Sequence, residues 1–249
     1  MKPFADHFSR IAGEYAAHRP RYPEALFDWL ASITTARHRA WDCGTGNAQA
    51  ALGLARRFEL VIATDPSEAQ IAHAAREPTL RYAVATAEHA PLAAGSMALA
   101  TVAQALHWFD RDAFYAEVRR VLARGGVLAV WSYGLCTVGD PGLDASLRRF
   151  HDETVGPYWP AERAIVNAGY DRLDFPFEEI PSPRFAMEAS WTLAQLAAYL
   201  STWSAVQRAR EATGEDPLPA LVDSLSGRWG AENAARLVEW PLSIRAGRR

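Results

Sequence analysis

Asp42, Gly44 and Gly46 stand in "WDCGTGN" (41–47), behind a strand-like run and ahead of an alanine-rich stretch. Glycines at that spacing let the backbone turn tightly and let a ligand reach the main chain with no Cβ in the way. A dinucleotide fingerprint, Gly-x-Gly-x-x-Gly/Ala, needs a small third residue for close helix–strand packing. Gln49 occupies that position, which argues against a nicotinamide dinucleotide. Asp65 ends the next apolar run, "FELVIATD" (58–65), about 20 residues beyond the loop, where a carboxylate accepts hydrogen bonds from a ribose. Loop and acid together suggest a nucleoside ligand that lacks pyrophosphate; an ordinary tight turn is the plain alternative. Farther along, His107 is a candidate general base for a hydroxyl or carbon acid. Its plain alternative is a structural histidine bonded to a loop carbonyl. Arg163 is a candidate for orienting a substrate carboxylate bidentately, against the alternative of a surface charge paired with Glu162 or Asp152.

These residues need a scaffold. "RYPEALFDWLASI" (21–33) has helical spacing with a proline near its start, and residues 47–57 read as the helix after the glycine loop. "FELVIATD" reads as a buried strand, and Ser67 to Gln70 as a capping box opening a helix. "LRYAVAT" (80–86) and "MALATVAQA" (97–105) are apolar runs of strand length. Asp110 caps a predicted helix reaching about Ala123, and "RGGVLAVWSY" (124–133) is a glycine turn feeding another strand. Strands alternating with helices at this spacing imply βαβ crossovers and a doubly wound parallel sheet. Residues 134–183 are loop-rich and aromatic and read as an insert over the sheet. "RFAMEASW" then reads as a strand, "TLAQLAAYLSTWSAVQRAR" as one helix with a Thr192–Gln195 capping box, and "RLVEWPLSIR" as a strand after a further helix. The expected organisation is a single domain over 1–249. It comprises N-terminal cap helices (1–35), a cofactor-binding core (36–133), the insert (134–183) and C-terminal strands and helices completing the sheet (184–249).

The segments "WDCGTGNAQAA", "VIATDPSEAQI", "ATAEHAPL", "VAQALHWFD" and "EVRRVLARGGVLAVWSYG" resemble the successive motifs of class I S-adenosylmethionine-dependent methyltransferases. The likeness runs from "FSRIAGEYAAHRPRYP" to about Tyr133, and more weakly through "WTLAQLAAYLSTWSAVQ". Within the superfamily it looks nearest the trans-aconitate methyltransferase-like branch, beside the ubiquinone- and menaquinone-type enzymes. The resemblance implies a seven-stranded, mostly parallel Rossmann-like sheet and S-adenosylmethionine as cofactor. It implies that Asp42, Gly44, Thr45 and Gly46 hold the methionine part, and that Asp65, with Pro66, meets the ribose. Ala87 and Glu88 would frame the adenine, and Gln104 would lie beside the sulfonium. Tyr15 and Arg19 match an N-terminal pair expected to close over the cofactor, with Arg19 pairing to its carboxylate. Two residues depart from the family pattern: Ala48 replaces a frequent third glycine, and Thr86 replaces a frequent aspartate facing the adenine amino group.

Methyl transfer from a sulfonium is an in-line displacement that disperses charge, so alignment and exclusion of water can supply much of the catalysis. Aromatic faces suit such a site because they tolerate a cation while keeping it dry. The chain carries 9 Trp, 8 Tyr and 10 Phe, most of which are expected simply to fill the core. Strand C-termini are where open α/β sheets bind ligands. The substrate-side candidates are therefore His107 and Trp108 after the fourth strand, Tyr133 ending the fifth, Tyr158, Trp159 and Arg163 in the insert, and Trp203 on the late helix. His107 and Tyr133 are the catalytic candidates. A carboxylate acceptor would need no base, being ionised already at neutral pH.

Composition narrows the alternatives. A net charge of −3 without a long basic run disfavours nucleic acid as a partner. Seven scattered histidines and two cysteines, Cys43 and Cys136, form no metal-ligand spacing, so no metal is expected. Neither a Gly-x-Ser-x-Gly elbow nor a phosphate-binding Gly-x4-Gly-Lys loop occurs. The absence of a long apolar run or leader-like segment leads to the expectation of a cytoplasmic protein with no membrane span, monomeric or homodimeric. The expected function is methylation of a small molecule at a carboxylate or other oxygen, an aconitate-like acid being the leading candidate. The alternatives are C- or N-methylation of a quinone-like metabolite, or a non-catalytic S-adenosylmethionine-binding sensor or scaffold.

Overall fold

The computed structural model describes residues 20–231 and 233–249. Its centre is one sheet built from β1 (Arg39–Cys43), β2 (Leu60–Asp65), β3 (Leu80–Val84), β4 (Met97–Ala103), β5 (Leu122–Tyr133), β6 (Glu178–Ile180), β7 (Phe185–Trp191) and β8 (Arg236–Arg248). The strand order is β3-β2-β1-β4-β5-β8-β6, and β7 also pairs with β8. Pairs among β1 to β5 are parallel. β8 runs antiparallel to β5, β6 and β7. The doubly wound, mostly parallel sheet is thus present, with eight strands where seven were expected. The difference lies in β6, which falls inside the 134–183 stretch and adds itself to the end of β8 through Ile180↔Ala246.

Helices α1 (Glu24–Ile33), α2 (Gln49–Ala55), α3 (Glu68–His73) and α4 (Arg111–Val121) connect or cover the parallel half. Strands buried on both faces read as continuous apolar runs, and β5 shows why. Its Val127, Ala129, Trp131 and Tyr133 join one core with Leu26, Phe27 and Leu54 from α1 and α2. Its Leu128 and Val130 join a second core with Phe114, Val118 and Val121 of α4. The chain winds outward from β1 to β2 and β3, then returns to place β4 on β1's other side. This reversal is the point where doubly wound sheets open a crevice at their carboxyl ends. The glycine loop follows β1 and the His107 segment follows β4, so both border that crevice.

Beyond β5 come α5 (Pro141–Arg149), a π turn (Phe150–Thr154), a 3-10 turn (Gly156–Tyr158) and α6 (Arg163–Asn167). Later come α7 (Leu193–Ser201), α8 (Ser204–Thr213) and α9 (Leu218–Trp229). The sequence from 192 to 210 predicts one helix; the structure breaks it in two at Thr202–Trp203, with no glycine or proline there. Instead, the hydroxyls of Ser201 and Thr202 donate back to the carbonyls of Ala198 and Tyr199, and Gln207 Nε2 takes the Ser201 carbonyl. Side chains that bind the backbone in this way compete with the helical ladder. The Thr192–Gln195 box is complete. The Ser67 box is half formed: Ser67 Oγ accepts from Gln70 N, but the Ser67 amide donates to Asp65 and not to Gln70.

Candidate functional site

The glycine loop is tied to the sheet at both ends. Asp42 is fully buried, and its carboxylate accepts from Thr45 Oγ1 at 2.6 Å and Thr101 Oγ1 at 2.7 Å. Burial outweighs these bonds and raises the Asp42 carboxyl to about 6. Asp65 accepts from Gly46 N and from Ser67 N, both at 2.9 Å. One carboxylate thus clasps the loop and the start of α3 together. Gly44 and Gly46 both have left-handed backbones, for different reasons. At Gly44 a Cβ would sit 2.7 Å from Ala105 Cβ, so the loop packs against the chain leaving β4. At Gly46 a Cβ would meet nothing within 4 Å among the described residues. Space next to a bare backbone is what a ligand gripped through the main chain requires, and the loop fits the methionine part of S-adenosylmethionine on that ground. Gln49, which displaced the dinucleotide reading, reaches away to the carbonyl of Pro20 at 2.8 Å.

After β4, Gln104 adopts φ 57°. Its amide bonds reciprocally with the backbone of Tyr133, Nε2 to the carbonyl and Oε1 from the N–H, each 3.0 Å. The side chain therefore locks the ends of β4 and β5 together. A 3-10 turn over Leu106–Trp108 follows. In it His107 Nδ1 lies 2.9 Å from the phenol oxygen of Tyr170. Burial, with Arg163 as a second cause, pushes the His107 imidazole down to about 3. Trp108 is more exposed and lies tilted beside His107, ring centres 4.8 Å apart.

Arg163 opens α6, which packs on the His107 turn. Its guanidinium lies 4.4 Å from the centre of the Trp159 ring, donates from Nε to Asn167 at 2.9 Å, and sits 3.4 Å from His151 Nε2. His151 is buried, and its Nδ1 meets Asp152 Oδ1 at 2.6 Å. His151 thus links Asp152 to Arg163. Trp203 is buried where α7 breaks from α8, with its ring 5.4 Å from Trp159 and edge-on to His151 at 5.6 Å. Tyr158 is half-buried against the same core.

The structure thus brings together Asp42, Gly44, Thr45, Gly46 and Asp65 at one end of the crevice. Trp159, Arg163 and Trp203 form a second group, and His107 with Trp108 lies beside Arg163. Pro66 follows Asp65, and buried Ala87 belongs to the α4 side of the core. Glu88 spends one oxygen on the Asp110 amide at 3.1 Å. Tyr133 is buried, with Tyr22 edge-on to it at 6.5 Å and to Trp131 at 5.5 Å. Tyr15 and Arg19 lie outside the described residues. Sequence reasoning missed Tyr170, His151 and Thr101, each a hydrogen-bond partner of a residue it singled out. Among the described residues no group of His, Cys, Asp or Glu could hold a metal ion, and no helix is long and apolar enough to cross a membrane.

A reversing parallel sheet with a glycine loop after its first strand and an acid after its second defines a Rossmann-like enzyme scaffold for a nucleoside cofactor. Residues 41–130 match the methyltransferase domain family. A Dictyostelium discoideum protein named as a methyltransferase is 34% identical over 89% of this chain and 86% of its own length. A Mycobacterium tuberculosis protein, named as an uncharacterized methyltransferase, is 37% identical over about half of each chain. A solved structure from Anaeromyxobacter dehalogenans, described as a type II methyltransferase, superposes with a TM-score of 0.88 at 48% identity, covering 92% of this chain and 97% of that one. The chain belongs to the class I S-adenosylmethionine-dependent methyltransferases, and S-adenosylmethionine is its cofactor.

Proposed function

We propose that the enzyme methylates a small carboxylic acid at oxygen. The observation that carries this reading is the Arg163 guanidinium, held against Trp159 and His151 so that its charge reaches His107 beside the crevice. A cation fixed in an aromatic setting selects an anionic acceptor, and guanidinium geometry suits a carboxylate. Trp108, Tyr158, Trp159 and Trp203 wall the acceptor and keep water out, while Tyr133 and His107 face the transfer. Asp42, Gly44, Thr45 and Gly46 hold the amino-acid end of the cofactor, Asp65 and Pro66 the ribose, Ala87 and Glu88 the adenine. Gln104 fixes the strand ends beside the sulfonium. The cofactor supplies an activated methyl group; the chain supplies alignment. An aconitate-like acid is the leading acceptor, in keeping with the trans-aconitate-type motifs "AQALHWFD" and "LAVWSYG".

The test is turnover of methyl-labelled S-adenosylmethionine with a panel of mono-, di- and tricarboxylic acids that includes trans-aconitate. Carboxyl methyl esters release labelled methanol in alkali, and that is the expected product. Label recovered only in base-stable products from amines or quinone precursors would overturn the acid assignment. Cofactor binding without transfer to any acceptor would point to a sensor.

A further inference from the structure

Among the described residues, the Tyr170 side chain hydrogen-bonds to His107, 63 positions earlier in the chain. Its phenol is buried, yet its backbone sits at φ 64° directly after Gly169 at φ 63°. A bulky side chain in the left-handed region costs on the order of 1–2 kcal/mol and persists only where the surroundings hold it. Those surroundings are specific. Among the described residues the Tyr170 hydroxyl has one hydrogen-bond partner, on the turn over Leu106–Trp108. A phenol buried this deeply needs an acceptor for its hydrogen, because an unmet buried O–H costs free energy. The acceptor available at 2.9 Å is His107 Nδ1.

A neutral imidazole has one N–H and one bare nitrogen. If Nδ1 accepts from Tyr170, the ring proton resides on Nε2. Among the described residues no hydrogen bond to Nε2 is formed, and the charge of Arg163 acts on the same ring. We propose that Tyr170 is a positioning residue that holds His107 as the Nε2–H tautomer, so that His107 donates a hydrogen bond to an acceptor oxygen that arrives already ionised.

The identity of that oxygen as a carboxylate rests on the acid-methylation reading above; the tautomer does not. With a carboxylate the transfer balances without a base. An oxygen lone pair forms the O–CH3 bond, the C–S bond breaks with its pair going to sulfur, and cation plus anion become neutral thioether and ester. No proton is left over. A hydroxyl acceptor would have to lose one, and an imidazole with its proton on Nε2 and its Nδ1 occupied by Tyr170 has no nitrogen free to take it.

The deciding experiment is a long-range proton–nitrogen correlation spectrum of the full chain, labelled with nitrogen-15 histidine and bound to S-adenosylhomocysteine. His107→Gln provides the assignment. Expected near neutral pH is a bare-nitrogen shift at Nδ1 and a protonated shift at Nε2, with a slowly exchanging Tyr170 hydroxyl proton correlated to Nδ1. In Tyr170→Phe the single tautomer should give way to averaged signals from both. A protonated Nδ1, a charged ring, or an unchanged Nε2–H tautomer in Tyr170→Phe would overturn the proposal. If Tyr170→Phe fails to fold, the hydroxyl-proton correlation in the unmodified chain decides. An Nε2–H tautomer together with no methylated acid leaves the tautomer assignment standing and removes the acid reading instead.

Discussion

Replacing Asp42 by asparagine isolates the cost of burying a carboxylate under the glycine loop. Asp42 is fully buried, and burial lifts its carboxyl from 3.8 to about 6 against the pull of the Thr45 and Thr101 hydroxyls. A folded value above the unfolded one means that the folded chain holds this proton more tightly. The associated stability is complete below about 3.8 and is lost as pH rises through about 6. By pH 7.5 the loss amounts to roughly 3 kcal/mol. Asparagine carries no charge to bury, but it gives up one accepted hydrogen bond. Its oxygen can still accept from one threonine, while its N–H2 faces the other. Thr101 has an alternative acceptor for its hydrogen in the Trp41 carbonyl at 3.4 Å, so the lost bond costs about 1 kcal/mol. Asp42→Asn should therefore be more stable than the parent by about 2 kcal/mol at pH 7.5, and less stable by about 0.5 kcal/mol near pH 4. Urea unfolding of both proteins without cofactor, at about pH 5 and pH 7.5, reads the pH dependence directly. The difference should move by about 1–1.5 kcal/mol in favour of asparagine between these conditions. A difference that stays flat, or that favours the parent as pH rises, would show that Asp42 is not held in its protonated form by burial.

Further predictions separate folding from binding. Gly44→Ala combines a left-handed backbone with a contact of 2.7 Å to Ala105, and should cost about 2–4 kcal/mol of stability in a thermal or urea melt. Gly46→Ala has no described residue within 4 Å of the added methyl group, so it should cost only about 1–2 kcal/mol of stability. It should instead weaken S-adenosylhomocysteine binding at least about tenfold by calorimetry; the reverse pattern would reassign the two glycines. Asp65→Ala removes the acceptor for two backbone amides and the proposed ribose contact, and should weaken the same binding by about 1–3 kcal/mol. Unchanged affinity would remove Asp65 from the cofactor site. Gln104→Glu sets a carboxylate oxygen against the Tyr133 carbonyl where an N–H donor stood, and should lower stability near neutral pH by about 1–3 kcal/mol. Partial recovery on acidification should accompany it, since the protonated acid can donate again.

How much was legible in the sequence follows from how local each signal was. β1, β2, β4 and β5 were readable because parallel strands covered on both faces are apolar at nearly every position. β6 was not. Glu178 and Glu179 are exposed and nothing in their residue types favours a strand; the pairing with the end of β8 puts them there. The break between α7 and α8 was hidden for a related reason. Serine and threonine are compatible with a helix, and only their back-bonding, with Gln207 taking the Ser201 carbonyl, ends the run. Within the site, the glycine loop and Asp65 lie close in sequence and carry a recognisable spacing. Tyr170 and His151 carry none, since the meaning of each depends on a partner brought to it by the fold.

The described residues hold three non-glycine positions with left-handed backbones: Ala48, Gln104 and Tyr170. Two lie where the chain leaves β1 and β4, and the third meets the turn that follows β4. Ala48 caps the start of α2 after the glycine loop, Gln104 turns the chain out of β4, and Tyr170 meets His107. Such residues are uncommon, and at about 1–2 kcal/mol each they weigh against a net stability typical of domains this size. Chance would scatter them among turns, where glycine at Gly95, Gly125, Gly139 and Gly214 does that work here without strain. Their placement there is better explained by side chains that glycine cannot replace: the Gln104 amide that joins two strand ends, and the Tyr170 phenol that meets an imidazole. Ala48 has only a buried methyl group to offer, which makes it the position of the three where glycine should be tolerated best. Strain retained where a polar group is indispensable, and avoidable where it is not, ties these conformations to the proposed methyl-transfer site more directly than sequence spacing does.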